Sequence, residues 1–186
     1  HPRFKCDWSS DVALPILKES ESEELLSNLL QIKSFPHQLR EQILQRAGGN
    51  PFFIEEVVRS LINEGAVVLE KGEYRVTEKI KNIVIPQSIH ALIMARIDRL
   101  DEETRNLVRV ASVIGRNFFY RILTEVASYI EEIDRRLDYL KEIQLIRERK
   151  RMEEVEYLFK HALAQEAAYE SILIQRRKEI HQKVAQ

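Results

Sequence analysis

The residues best placed to meet a ligand are Gly48-Gly49-Asn50-Pro51, inside the run from Ala47 to Glu56. Two glycines can take positive φ and close a preceding helix. Asn50 can cap the next helix, and Pro51 suits its first position, where an N–H would have no partner. Such a turn sets backbone N–H groups beside the positive end of a helix, with Glu55 and Glu56 close behind. Two readings fit it: a ligand-facing surface, or a tight helix-to-helix junction that binds nothing. His161 is the second candidate, because it follows a strand pattern and begins a helical one. An imidazole there can donate to a phosphate or simply cap and pack locally, and both roles stay open. Lys160 beside it reads as solvent-facing. The third candidate is the basic cluster Arg147, Arg149, Lys150 and Arg151, which could rest on phosphates but is diluted by Glu148, Glu153 and Glu154.

No catalytic constellation accompanies these residues. His37, His90, His161 and His181 have no metal-ligand spacing with one another or with Cys6. Glu55 and Glu56 are adjacent on a helix, so they point in different directions and read as charges near a helix N-terminus rather than an acid–base pair. No G-x-x-x-x-G-K-[ST] stretch occurs among the five glycines, so the chain lacks a P-loop. The expectation is a non-enzymatic chain that holds no metal or cofactor by itself.

Bulk properties narrow the partners. The chain has 186 residues, 44% hydrophobic and 32% charged, with a net charge of -1. That charge gives no global attraction for nucleic acid or an anionic membrane. One cysteine excludes an internal disulfide and fits a reducing, cytoplasmic setting. No apolar run approaches the roughly 20 residues that a membrane span requires.

The elements that must position the candidates are mainly α. Val12 to Leu17 reads as an edge strand limited by Pro15, with Trp8 and Phe4 anchoring the amino-terminal segment. Helices are expected from Ser20 to Leu30, from Pro36 to Ala47, from Pro51 to Gly65, and from Gln87 to Leu100. A hairpin is inserted at Ala66–Thr77, with Gly72 in its turn. Asp101 caps a fifth helix ending at Gly115. Shorter helices follow over Tyr120–Tyr129 and Glu131–Ile143. A second hairpin then joins Leu145–Arg147 to Val155–Leu158 through a charged, solvated tip. A long final helix runs from His161 to the end without a stop signal, as in an excised piece of a larger protein. Three helices followed by a hairpin is the winged-helix order, a relative of helix-turn-helix.

Several stretches carry a family resemblance. Gly49-Asn50-Pro51-Phe52-Phe53-Ile54-Glu55-Glu56 resembles the lid motif of STAND signal-transduction NTPases, a branch of the AAA+ ATPases. More narrowly, it is similar to ATPase modules found beside class III adenylate or guanylate cyclase domains and bacterial kinases. Ile85-Pro86-Gln87-Ser88-Ile89, Ala95 to Leu100, Ala111 to Phe118 and Phe159 to Glu166 resemble the same family in the same order. The resemblance covers about residues 47–186. It implies a core remnant at 1–19, a helical lid at 20–100, a winged-helix domain at 101–160 and a linker helix at 161–186. It also implies that Gly49, Asn50 and Pro51 lie near nucleotide when the lid closes, and that His161 reaches a phosphate of ADP. ATP or ADP with magnesium would then be bound by the parent protein, not by this fragment. The implied partners are the parent's own P-loop core and effector domain, with helical repeats or other proteins beyond them. DNA and membrane are not expected partners: the helix that would read the major groove, Glu131 to Asp138, is heavily acidic. The alternatives are a winged-helix DNA-binding regulator and a structural helical interaction module.

Overall fold

A computed structural model of the chain describes residues 16–32 and 34–185. Of the expected strand over Val12–Leu17, only Ile16 and Leu17 are among these residues, and they lie in no strand; its remainder, the anchoring by Trp8 and Phe4, and most of the expected core remnant lie outside them. The described part is mainly helical with two small antiparallel sheets, and it divides into two compact units between Ser88 and Ile89.

The first unit holds α1 (Glu19–Leu30), α2 (His37–Ala47), α3 (Pro51–Asn63), the hairpin β1 (Val67–Glu70) and β2 (Glu73–Val76), and a 3-10 turn at Glu78–Asn82. Helix α1 starts at Glu19, because the Glu21 carboxylate reaches back to the Lys18 N–H at 2.7 Å; Lys18, not Ser20, is the N-cap. Helix α3 is the centre of this unit. It packs on α1, α2 and β1, and it buries Phe52, Phe53, Ile54, Val57, Val58 and Leu61. Burial of each such side chain is worth about 1.5–3 kcal/mol. The hairpin turn is Lys71-Gly72, with φ of 52° and 84°, the two-residue form whose twist suits paired strands.

The second unit holds α4 (Ile89–Asp98), α5 (Glu102–Ile114), β3 (Asn117–Phe119), α6 (Tyr120–Val126), α7 (Ile133–Glu142), β4 (Ile146–Arg151), β5 (Glu154–Phe159), α8 (Ala162–Glu170) and α9 (Ile174–Val184). The division between the two compact units falls before α4, ahead of the lid end expected at Leu100. Helix α4 packs against α8, buries Leu92, Ile93 and Ile97, and donates from Arg96 to the Ile143 carbonyl at 2.6 Å. Helix α4 falls in the second unit, which leaves three helices and the hairpin in the first.

From α5 to β5 the order is helix, strand, helix, helix, strand, strand, and the sheet order is β3-β5-β4. That is the winged-helix arrangement, with a short strand that the sequence pattern did not reveal. Strand β3 pairs Phe118 with Tyr157, and Phe118 also packs its ring 5.7 Å from Phe159. The single long final helix is also corrected. It breaks between Glu170 and Ile174, where Arg177 donates to the Ile172 carbonyl at 3.0 Å and stacks over Tyr169 at 4.5 Å. The break turns Ile172 inward and lets α9 pack on α5 and α6, burying Ile180. No glycine or proline marks this break; packing imposes it.

Candidate functional site

The α2–α3 turn is built as its residue types require. Gly48 has φ 53° and donates to the Leu44 carbonyl, which ends α2. Gly49 follows at φ 81°. Asn50 takes an extended conformation, its N–H donates to Ala47 O at 2.8 Å, and its Oδ1 accepts from the Phe52 N–H at 3.0 Å. Pro51 occupies the first helical position.

Two features limit what this turn can bind. The Asn50 side chain already holds one N–H of the α3 first turn, and Pro51 has none to offer. The turn is therefore poorly equipped as a phosphate cradle. Gly48 is exposed, Asn50 half-buried and Pro51 buried, so Asn50 carries the turn's one polar side chain. Glu55 and Glu56 lie past the first turn of α3. Glu55 is half-buried, while Glu56 is 1% exposed with Arg59 Nε 3.7 Å from its carboxylate. The expected pair of charges at the helix N-terminus is corrected accordingly: one of them points into the unit.

A contact absent from the sequence reading explains Gly49. Its carbonyl accepts the Leu17 N–H at 2.8 Å. A Cβ at Gly49 would stand 2.5 Å from the Leu17 carbonyl oxygen and 2.7 Å from Ile16 Cγ2. At Gly48 a Cβ would meet nothing within 4 Å. The only sequence signal was the doubled glycine itself.

His161 lies in the second unit, as the half-buried N-cap residue of α8. Its backbone is extended, its carbonyl accepts from the Ala164 N–H at 3.0 Å, and its side chain makes no cap hydrogen bond. Lys160 next to it donates to Gln144 Oε1 at 2.7 Å rather than standing free in solvent. Gly49, Asn50 and Pro51 are thus one turn of the first unit, and His161 is a helix start of the second.

The basic wing differs from its sequence reading. Glu148 to Arg151 are strand residues, and the turn is only Met152-Glu153. On this ladder Arg149 lies opposite Glu156, whose carboxylate is 2% exposed. Arg149 donates to that carboxylate, and Arg151 lies 3.5 Å from it. The Arg149 hydrogen bond, more than the charge of either arginine, holds the Glu156 carboxyl below its ordinary pKa against the opposing cost of burial. Lys141 bonds Glu148 at 2.6 Å and Asp138 at 2.9 Å, contacts that raise its pKa. Arg136 of α7 is drawn to the start of α5, bonding Asp101 at 2.6 Å and Thr104 Oγ1 at 2.7 Å. Asp101 accepts from the Thr104 N–H at 3.1 Å, and its hydrogen bond with the Thr104 side chain is the largest cause of its lowered pKa. Much of the positive charge a DNA-binding wing would need is spent inside the unit. Among the described residues, no cluster of three metal-ligating side chains occurs, and no helix is long and apolar enough to cross a membrane.

The fold defines a mainly α chain with a helical unit followed by a winged-helix unit. Residues 18–75, which span the helical unit through most of its hairpin, match a family model described as Domain of unknown function (DUF8739). No curated protein and no solved structure matches the chain.

Proposed function

We propose that this chain is the regulatory lid and winged-helix portion of a STAND-type signalling ATPase. It couples the ATP or ADP state of a P-loop core to an attached effector such as a nucleotide cyclase. The observation that supports this most is the α2–α3 turn, where two positive-φ glycines and the Asn50 cap fix a rigid junction with one polar side chain at its surface. Its sequence resembles the family's lid motif, and the winged-helix order follows it in the chain. In this reading the phosphates and magnesium are held by a P-loop core, since the chain has no P-loop sequence of its own. The chain contributes contacts, not catalysis, and works in the cytoplasm. Asn50 would touch the nucleoside and His161 the phosphate of ADP.

Nucleotide can shift such a switch only through contacts that differ between its two states. The test is ADP affinity of the protein carrying this chain together with its core, with and without His161→Ala. Weaker ADP binding with raised basal output supports the proposal; unchanged affinity and output remove the role of His161. Duplex DNA binding by this chain with a steep salt dependence would favour the transcription-regulator alternative instead.

A further inference from the structure

We infer that Gly49 is the seat of a backbone strap: Ile16-Leu17 is fastened onto the α2–α3 turn, so that movement of the segment before α1 is delivered to the Asn50 cap. Three observations carry this. Leu17 N–H donates to Gly49 O at 2.8 Å across 32 residues of sequence, which ties the strap to the turn rather than to its own helix. The Gly49 Cα face is closed by the strap, since any Cβ there would collide with Leu17 O at 2.5 Å. A backbone oxygen cannot swing aside as a flexible side-chain end can, so the strap itself must move if Gly49 gains a side chain. The next residue, Lys18, is already the N-cap of α1, with its N–H on Glu21 and its carbonyl accepting from Ser22 at 2.9 Å. Leu17 is thus the last residue before a fixed helix start, and it has no slack to absorb a pull.

On the other side of the contact, Gly49 is peptide-bonded to Asn50, whose N–H bonds Ala47 and whose side chain holds Phe52. A displacement of Leu17 therefore reaches the α3 N-terminus through one hydrogen bond and one peptide unit. This inference does not depend on nucleotide. It assigns the second glycine of the pair to a chain contact and the first to helix termination.

The two glycines provide an internal control. Both have positive φ, so Gly48→Ala and Gly49→Ala share the backbone strain, but only Gly49→Ala meets the strap. The experiment follows amide exchange of Leu17 and Phe52, together with tryptic cleavage after the exposed Lys18, in the 186-residue chain. In Gly49→Ala, Leu17 exchange and Lys18 cleavage should rise about tenfold relative to Gly48→Ala, the scale of losing one protecting hydrogen bond. Leu17→Pro removes the donor and leaves Gly49 intact. It should reproduce the release with helical circular dichroism retained, and it should also speed Phe52 exchange. Equal exchange at Leu17 in both glycine variants, or Leu17→Pro with unchanged Phe52 exchange, would overturn the strap.

Discussion

The α2–α3 turn and the wing turn face the same backbone problem and solve it with opposite materials. Both run through two consecutive residues of positive φ: Gly48 and Gly49 at 53° and 81°, Met152 and Glu153 at 51° and 65°. The first uses glycine, and at Gly49 the space is filled by another stretch of backbone. The second uses ordinary residues, with Met152 85% exposed, and accepts the left-handed strain to close a tight hairpin. Their charges differ as well. The first turn leaves a neutral amide at its surface, while the wing carries many charges and turns a large share of them on its own carboxylates. Charge visible in a sequence is not charge available to a partner. The spacing of strand residues decides which arginine meets which glutamate.

This contrast can be broken at its scaffolds. Phe53→Ala, in the helix that carries the first turn, should cost about 3–5 kcal/mol and unfold the helical unit, read by urea denaturation. The wing should respond less to its own largest disruption. Glu156→Gln leaves two arginines half-exposed and able to reach water, so the loss should be about 1–2 kcal/mol. It should also strengthen salt-dependent DNA binding relative to the unsubstituted chain, measurable by fluorescence anisotropy at low salt.

The acid response follows from Glu156 together with Asp101. The Glu156 and Asp101 carboxyls sit below their ordinary pKa in the folded chain. Their stabilisation is complete above the unfolded carboxylate pKa, near 4, and is lost as pH falls through the lower folded values. The urea midpoint of the second unit should therefore fall on acidification below about pH 4, with a shallower slope in Glu156→Gln.

Asn50→Ala should cost the first turn about 1 kcal/mol by removing the cap, a Tm decrease of about 2–4 °C in a chain of this size. The smallest effect belongs to Glu153→Gly, which relieves one left-handed residue and should stabilise the wing by about 0.5–1 kcal/mol. Destabilisation there would show that the wing turn is held by side-chain contacts and not merely tolerated.

The parts of the fold that local chemistry dictates were legible. Asn50 marks a helix start because its side chain performs the capping, Pro51 because its ring suits the first helical position, and Asp101 caps α5 through the Thr104 N–H at 3.1 Å as Asn50 caps α3. Gly72 placed the first hairpin turn. What was missed depends on distant partners. Strand β3 is three residues long and exists because Phe118 pairs across to Tyr157. The break before α9 has no local signal, since it serves the burial of Ile172 and Ile180. The wing turn was placed too widely because Glu148 to Arg151 look solvated, whereas cross-strand pairing makes them a ladder. For the site, the turn itself was readable from residue types. The reason for Gly49 was not, because Leu17 is far from it in sequence.

The proposed switch has the Asn50 amide and the His161 imidazole meeting bound nucleotide. It is tested most directly by calorimetric ADP titration of the protein carrying this chain and its P-loop core, comparing wild type with Asn50→Gly and His161→Ala. Glycine keeps most of the N-cap stability, so Asn50→Gly removes the amide without unfolding α3. Each variant should weaken ADP binding by about tenfold, the scale of one lost hydrogen bond to nucleotide. Affinity unchanged in both would contradict it and leave the turn as a helix junction and strap seat alone.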